Sequence, residues 1–332
     1  MKQVLIIGAA GFIGRRVVEA LAGSDWASPI AGIHRAARPD QASIRQVKLD
    51  ATDAASMTAA LRGIDAVVNC LAGDASAITA STRVLFAAAA NASPTPLIVH
   101  LSSMAVYGST TGDVSEDAPL RGDLGPYSSA KVEAEAIAAG YAQCVILRPG
   151  IVYGPQSEQW SGRIGQWLFA RRVGDLGAAG DGYCNLVHVD DVVAAIVSSL
   201  RRPEATGAAF NLAMPDPPTW NEYFIAYARA LGAVPVKRIS RRQLTIESKI
   251  LAAPLKALVI AARAARFGRF APPPIPPSLL RLTRQEIRLR PTRAQQVLGW
   301  TCKPLGQGLA ETAQWFHRTT GRAGAASAGI AP

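Results

Sequence analysis

Aromatic residues are scarce in this chain. Phe, Trp and Tyr make up 6% of its 332 residues while 49% are apolar, so the core must be built from aliphatic side chains and alanine. That apolar share is ample for a sizeable core, and the length suits one large or two smaller domains. Cysteine is sparse too. Cys70, Cys144, Cys184 and Cys302 form no CxxC pair and no Cys/His cluster at metal spacing. This argues against a disulfide scaffold or a metal centre and for reduced, buried thiols in a cytoplasmic protein. Long apolar runs are missing as well. The run after Lys2 is about five residues, too short for the apolar region of a secretion signal. No segment reaches the ~18 apolar residues of a membrane span. Acids are rare late in the chain: residues 1–200 carry net −3, whereas residues 201–332 hold 20 Lys and Arg against 6 Asp and Glu, net +14. Such an asymmetry marks either an anionic partner or an arginine-rich solvated surface. No aromatic interleaving or recognition motif supports nucleic acid.

What the first half does contain is an alternation of short apolar runs with helical patterns. Strands are expected at 3–9, 29–35, 47–53, 65–73, 96–103 and 143–154, with helices at 14–23, 55–63, 76–91 and 127–139. Continuous apolar strands between helices argue for a parallel sheet covered on both faces. A strand and helix recur at 185–200, and a short strand at 207–213. After 214 helices and proline-rich loops dominate, including the rigid connector "APPPIPPS" at 271–278. The expected organisation is an α/β, Rossmann-type doubly wound domain over 1–158, to which 184–213 returns. A smaller, mostly helical substrate lobe takes 159–183 and 214–320, and 321–332 is a disordered tail.

"GAAGFIG" places Gly8, Gly11 and Gly14 between the first strand and a helix. A tight turn that presents backbone N–H groups and a helix N-terminus to a pyrophosphate needs glycines there. Phe12 and Ile13 belong to the same loop. The second strand ends "IHRAAR", with His34, Arg35 and Arg38 and no acid. An acid would bond the ribose hydroxyls; cations suit a 2′-phosphate, so the cofactor expected is NADP(H), with NAD(H) the alternative. Asp50, after the third strand, is placed to face the adenine, and Leu71 and Ala72, after the fourth, to pack on the cofactor.

Tyr127 and Lys131 stand four residues apart in the first turn of a helix opened by Pro126, so phenol and ammonium share a face. A nearby cation favours the phenolate and fits the tyrosine for proton transfer near neutral pH. "HLSSMAVYG" puts Ser102 and Ser103 at the carboxyl end of a strand, where open parallel sheets bind ligands. With "GAAGFIG", "LSSMAVYG", "YSSAK" and "LRPGIVYGP" in this order, the chain resembles the extended short-chain dehydrogenase/reductase superfamily over about residues 1–213. "PTRAQQVLGW" at 291–300 matches a weaker late motif of that branch. The resemblance implies Tyr127 as general acid/base and Lys131 as holder of the nicotinamide ribose. It also implies Ser103, ahead of Ser102, as partner of the reacting oxygen, and a homodimer. Pro149 falls on the cofactor side. Met104, Arg148, Gly150, Cys184 and Asn185 are the substrate-side candidates, although Arg148 equally suits an ion pair.

Two features bear on the substrate. Nucleotide-sugar members commonly carry an arginine where "YCNLVHVDD" has Cys184, followed by Asn185, so the diphosphate partner is missing. Arg163, Arg288 and Arg293 are other arginines that could meet a phosphate, and His188 with Asp190–Asp191 reads as structural, making caps or ion pairs between lobes. The segment 250–270 is apolar and then flanked by Arg263, Arg266 and Arg269. It suits a greasy pocket, a peripheral contact with the inner face of a membrane, or an ordinary amphipathic helix. The expected activity is interconversion of a secondary alcohol and a ketone on a small apolar molecule, the alternatives being a nucleotide-sugar epimerase or dehydratase and a non-catalytic NADP-binding scaffold.

Overall fold

A computed structural model describes residues 1–34, 44–247 and 274–321. Arg35, Arg38, the 250–270 segment and the tail beyond 321 lie outside the described residues.

The strands are β1 (Lys2–Ile7), β2 (Ala27–Ile33), β3 (Arg45–Lys48), β4 (Ala66–Asn69), β5 (Leu97–Leu101), β6 (Gly112–Val114), β7 (Cys144–Pro149), β8 (Ile151–Tyr153), β9 (Leu186–His188), β10 (Ala209–Leu212) and β11 (Ile287–Leu289). Seven of them form one sheet in the order β10-β7-β5-β4-β1-β2-β3, and each adjacent pair is parallel. The strand order reverses between β1 and β4, the crevice where doubly wound sheets take their ligands. Register carries this further. Ile7 pairs with Asn69, Asn69 with His100, and Leu101 with Leu147, so the carboxyl ends of β1, β4, β5 and β7 finish together.

The helices used below are α1 (Phe12–Ala22), α2 (Ala54–Ala60), α3 (Ala75–Ala90), α4 (Pro126–Ala139), α5 (Arg163–Phe169), α6 (Val189–Arg201) and α7 (Trp220–Ala230). Their starts follow from local chemistry. Asp53 and Asp74 accept from the N–H groups of Ser56 and Ala77 at 2.7 and 2.9 Å, opening α2 and α3. Thr219 and Glu222 close a capping box on α7. Pro126 opens α4, where a missing N–H costs nothing. Around the sheet the core is aliphatic, as the composition suggests: Leu5, Ile30, Val67, Leu85 and Ile98 pack in one buried cluster with Phe86. Elsewhere the expectation fails, because the few aromatics are concentrated inside: Tyr153, Trp220, Tyr223, Phe224 and Tyr227 are fully buried and pack ring against ring.

The described chain divides into two compact units: 1–150 with 189–215 and 289–302, and 151–188 with 216–288 and the residues from 303. This departs from the sequence boundaries in three places. The run 143–154 is not one strand, because it breaks at Gly150, whose N–H donates to Leu212 at 2.9 Å. β8 then pairs with β9, which places 151–158 and 184–188 in the second unit. Residues 289–302 return to the first unit, held by Arg290 N–H to the Val114 carbonyl at 3.0 Å and by the Arg293–Asp117 ion pair at 2.8 Å. Strand β3 also stops earlier than expected, since the Asp50 carboxylate turns the chain by accepting from the Thr52 N–H at 2.9 Å. Among the described residues no helix is long and apolar enough to cross a membrane.

Burial sets the stability scale. Ile6 is fully buried in a central strand, whereas the Arg83–Glu133 pair on α3 and α4 is largely exposed. Ile6→Ala is expected to cost about 2–5 kcal/mol and lower the urea midpoint with little change in slope. Arg83→Ala is expected to cost less than about 0.5 kcal/mol in the same measurement.

Candidate active site

The glycine loop sits at the β1/β4 crevice. Gly8 has φ +80°, a conformation that disfavours side chains, and a Cβ there would stand 2.9 Å from the Cys70 carbonyl oxygen. A Cβ on Gly14 would run into the Gly8 carbonyl. Gly11 donates to the Gly8 carbonyl at 2.8 Å and starts α1 with no side-chain cap and no acid in the first turn. The first N–H groups of the helix, at Phe12, Ile13 and Gly14, therefore lack intrahelical partners beside a crevice cleared of side chains. This is a cradle for an anion, and the residues present fit a pyrophosphate. The Arg16 guanidinium lies 5.9 Å from the Phe12 ring centroid, covering the outer side of that turn.

The second half of the site is one stripe of α4 against the end of β5. Tyr127, Lys131 and Glu135 recur every four residues and meet three consecutive residues of the strand end. The Tyr127 hydroxyl faces the Ser103 side chain, which acts to lower the phenol. The Lys131 ammonium donates to the Leu101 carbonyl at 2.8 Å. Ser102 donates its hydroxyl to the Glu135 carboxylate. Ser128 adds a fourth tie, from its hydroxyl to the Ala105 carbonyl at 2.6 Å.

Electrostatics differ from the sequence expectation at one point. Burial pushes the Tyr127 phenol above its ordinary range, and the Ser103 hydroxyl only partly offsets this. The expected lowering by Lys131 is not what governs it, because the ammonium is turned to the Leu101 carbonyl. The Tyr127 ring is nonetheless 47% exposed, so it can meet a ligand directly. Lys131 is 4% exposed, and burial lowers its ammonium to about 8 against the pull of Glu135 and Cys70. Burial raises the Cys70 thiol to about 12, and burial and then Lys131 lower the His100 imidazole to about 3, so both are neutral near pH 7.

The remaining candidates separate into those near the crevice and those committed elsewhere. Asp50 holds a carboxylate below its usual range through the Thr52 hydroxyl and N–H, with exposed His34 contributing weakly. Leu71 packs partly on the core and Ala72 is exposed. Ser103 also accepts from the Ala105 N–H at 3.2 Å, which caps the turn bearing buried Met104. Pro149 ends β7, beside Leu212 of β10.

Arg148 is corrected from a substrate group to a buried brace. It donates to Glu135 through Nε and Nη2, and through Nη1 to the Tyr107 hydroxyl and the Glu116 carbonyl, both at 2.8 Å. With every arm engaged it has no fork left for a ligand. Gly150 spends its N–H on Leu212, and Cys184 and Asn185 are buried within the second unit. Asn185 donates there to the Ile287 carbonyl at 2.9 Å. His188 is buried edge-on to Tyr153 at 5.2 Å. Asp190 pairs with Arg16 at 3.1 Å inside the first unit, so this ion pair does not join lobes as expected. Arg293 is occupied by Asp117, and Arg288 lies 4.3 Å over the Tyr183 ring. Glu135 and Glu116 were missed by sequence reasoning. Glu135 had a signal, its spacing of four from Lys131.

Residues 4–213 match the model of the NAD dependent epimerase/dehydratase family. The chain belongs to that family. It is 30% identical to the 2′-dehydrokanamycin reductase of Streptomyces kanamyceticus over 244 residues, 69% of this chain and 67% of that protein. Among solved structures it is similar to the UDP-glucuronic acid 4-epimerase of Bacillus cereus in complex with UDP-glucuronic acid and NAD, with TM-score 0.70, 18% identity and coverage of 96% of this chain and 99% of that one. It is also similar to the dTDP-glucose 4,6-dehydratase of Bacillus anthracis in complex with NAD, with TM-score 0.73, 20% identity and coverage of 96% and 97%. At these identities the solved structures establish the fold. This epimerase/dehydratase family member is an enzyme of the extended short-chain dehydrogenase/reductase type that uses a nicotinamide cofactor.

The cradle makes a direct expectation. Gly14→Ala should leave the circular dichroism spectrum intact yet weaken NADPH and NADH binding at least tenfold, about 1.4 kcal/mol, in a fluorescence titration.

Proposed function

We propose that this enzyme interconverts a secondary alcohol and a ketone on a small molecule, with NADP(H) as preferred cofactor. The observation that carries this is the single stripe of α4 that faces the carboxyl end of β5, Tyr127 toward Ser103 and Lys131 onto the Leu101 carbonyl. The cofactor, when bound, supplies hydride transfer. The chain's own residues supply the proton and the geometry. Tyr127 gives its phenolic proton to the carbonyl oxygen in reduction and takes it back in oxidation. Ser103 bonds the same oxygen with its hydroxyl. Lys131 would hold the nicotinamide ribose, and an ammonium turned to that side would oppose the burial that raises the phenol. The absence of an acid after β2, with His34, Arg35 and Arg38 in its place, supports a 2′-phosphate.

Reduction is favoured over epimerisation by two observations. The relative at 30% identity is named a 2′-dehydrokanamycin reductase, and the position that would hold a substrate diphosphate is the buried Cys184. The apolar character of the substrate rests on 250–270 alone. A substrate panel therefore pairs hydrophobic ketones with keto sugars and includes nucleotide sugars, each read by NADPH and NADH absorbance. Net NADPH oxidation with a ketone is the expected outcome; turnover of a nucleotide sugar without net oxidation would establish the epimerase reading instead.

Tyr127→Phe should lower turnover at least about 10²-fold while the cofactor dissociation constant stays within about threefold. NADPH should bind more tightly than NADH, and the opposite order in the titration would overturn the cofactor preference.

A further inference from the structure

Beneath the reacting groups lies a buried charge network that the proposed reaction does not itself use. The Glu135 side chain is 3% exposed and that of Arg148 is 7% exposed. Glu135 receives Arg148 Nε at 3.0 and 3.2 Å, Arg148 Nη2 at 2.6 Å and the Ser102 hydroxyl. Arg148 thus holds the carboxylate directly, while Lys131 stands one helical turn before it with its ammonium on the Leu101 carbonyl. We propose that Glu135 is a positioning residue of this site: clamped by Arg148 and Ser102, its carboxylate sets the register of α4 on the end of β5 and fixes a negative charge one helical turn from Lys131. The role rests on the reading of Tyr127, Lys131 and Ser103 as the groups that meet cofactor and substrate.

The geometry supports both parts. Ser102 lies between Leu101, whose carbonyl holds Lys131, and Ser103, which meets Tyr127. A carboxylate that fixes Ser102 therefore fixes the middle of the three contacts. A slide of α4 by one turn, about 5.4 Å, would break the Lys131–Leu101 and Ser102–Glu135 bonds together.

The charge balance points the same way. From the end of β4, Lys131 faces Cys70, whose thiol burial holds at about 12. From β5 it faces His100, lowered to about 3 chiefly by burial. From β7 comes Arg148, with its partner Tyr107 pushed up to about 12 by burial. The charged side chains of the packed pair α3 and α4 that meet each other, Arg83 and Glu133, do so on the exposed face. Glu116 lies farther out: its carboxylate accepts from the Asn211 N–H at 2.8 Å and stands 4.0 Å from Arg293. Among the described residues, the two groups whose charge acts on Lys131 are Cys70, neutral near pH 7, and Glu135. Glu135 opposes the desolvation that lowers Lys131 to about 8.

The test reads Lys131 directly in the full chain without cofactor, by NMR titration of isotope-labelled lysine side chains, its signal assigned by loss in Lys131→Met. Glu135→Gln keeps the shape and removes the charge. Its Lys131 midpoint should fall by about one pH unit or more, and Glu135→Asp should recover most of that shift. The high-pH limb of kcat/KM should move with it. Removing one partner of a buried pair can unfold a protein, so the double variant Glu135→Gln/Arg148→Met, which removes the pair together, is measured alongside Arg148→Met; these two differ only in the Glu135 charge, and the Lys131 midpoint should be lower in the double variant. An unchanged midpoint in folded Glu135→Gln, or between the folded Arg148→Met and double variants, overturns the proposal. Full activity in Tyr127→Phe would instead sink the proposed reaction and leave the Lys131 titration standing, so the two failures are distinguishable.

Discussion

Parallel strand pairing is the constraint from which the site follows. Because β1, β4, β5 and β7 all run the same way and end in register, every loop that follows them opens on one edge. The reversal of strand order between β1 and β4 parts the helices there and leaves a crevice. Into it the glycine loop presents an uncapped helix end, and α4 presents Tyr127 and Lys131. An antiparallel arrangement of the same strands would send half of these residues to the opposite edge.

Within that frame, the first unit buries a surprising amount of charge. Taking Glu135 and Arg148 out of water is costly, and the cost is met only because hydrogen bonds satisfy nearly every arm of both groups. Breaking such a pair by removing one member costs about 3–5 kcal/mol, whereas replacing both by apolar residues is often close to neutral. Stability alone therefore gives no reason to retain it. Its location does, since it sits one helical turn from Lys131 and one residue from Ser103. The late segment 289–302 joins the same neighbourhood: Arg293 holds Asp117, and Arg290 holds Asp113 at 2.5 Å.

The family assignment and the local chemistry agree on what kind of reaction the site can host, and they leave the substrate to residues outside the crevice. The solved relatives that share the fold hold nucleotide sugars or NAD, while the relative with the higher identity is a reductase. A fold this versatile keeps its hydride-transfer machinery in the sheet and varies the rest.

Much of the first unit was legible in the sequence, since short apolar runs and glycines at fixed spacing are local signals. The Tyr127–Lys131 spacing and the order of the motifs already named the family. What local signals could not carry was partnership across the chain. "LRPGIVYG" reads as one strand, yet the break at Gly150 hands its second half to β9, because strand pairing is decided by which backbone groups find one another in space. Arg148 reads equally well as a ligand group or as half of an ion pair. Only the packing of α4 on β7, 13 residues away in sequence, decides for the pair. The same holds for the Tyr127 phenol: the sequence puts a lysine beside it, but burial sets its direction, and burial is a property of the assembled chain. The sequence by itself carried most elements of the first unit, the glycine loop after β1 and the spacing of Tyr127 and Lys131. The tertiary structure alone decided which charges are buried together, because desolvation depends on every neighbour at once.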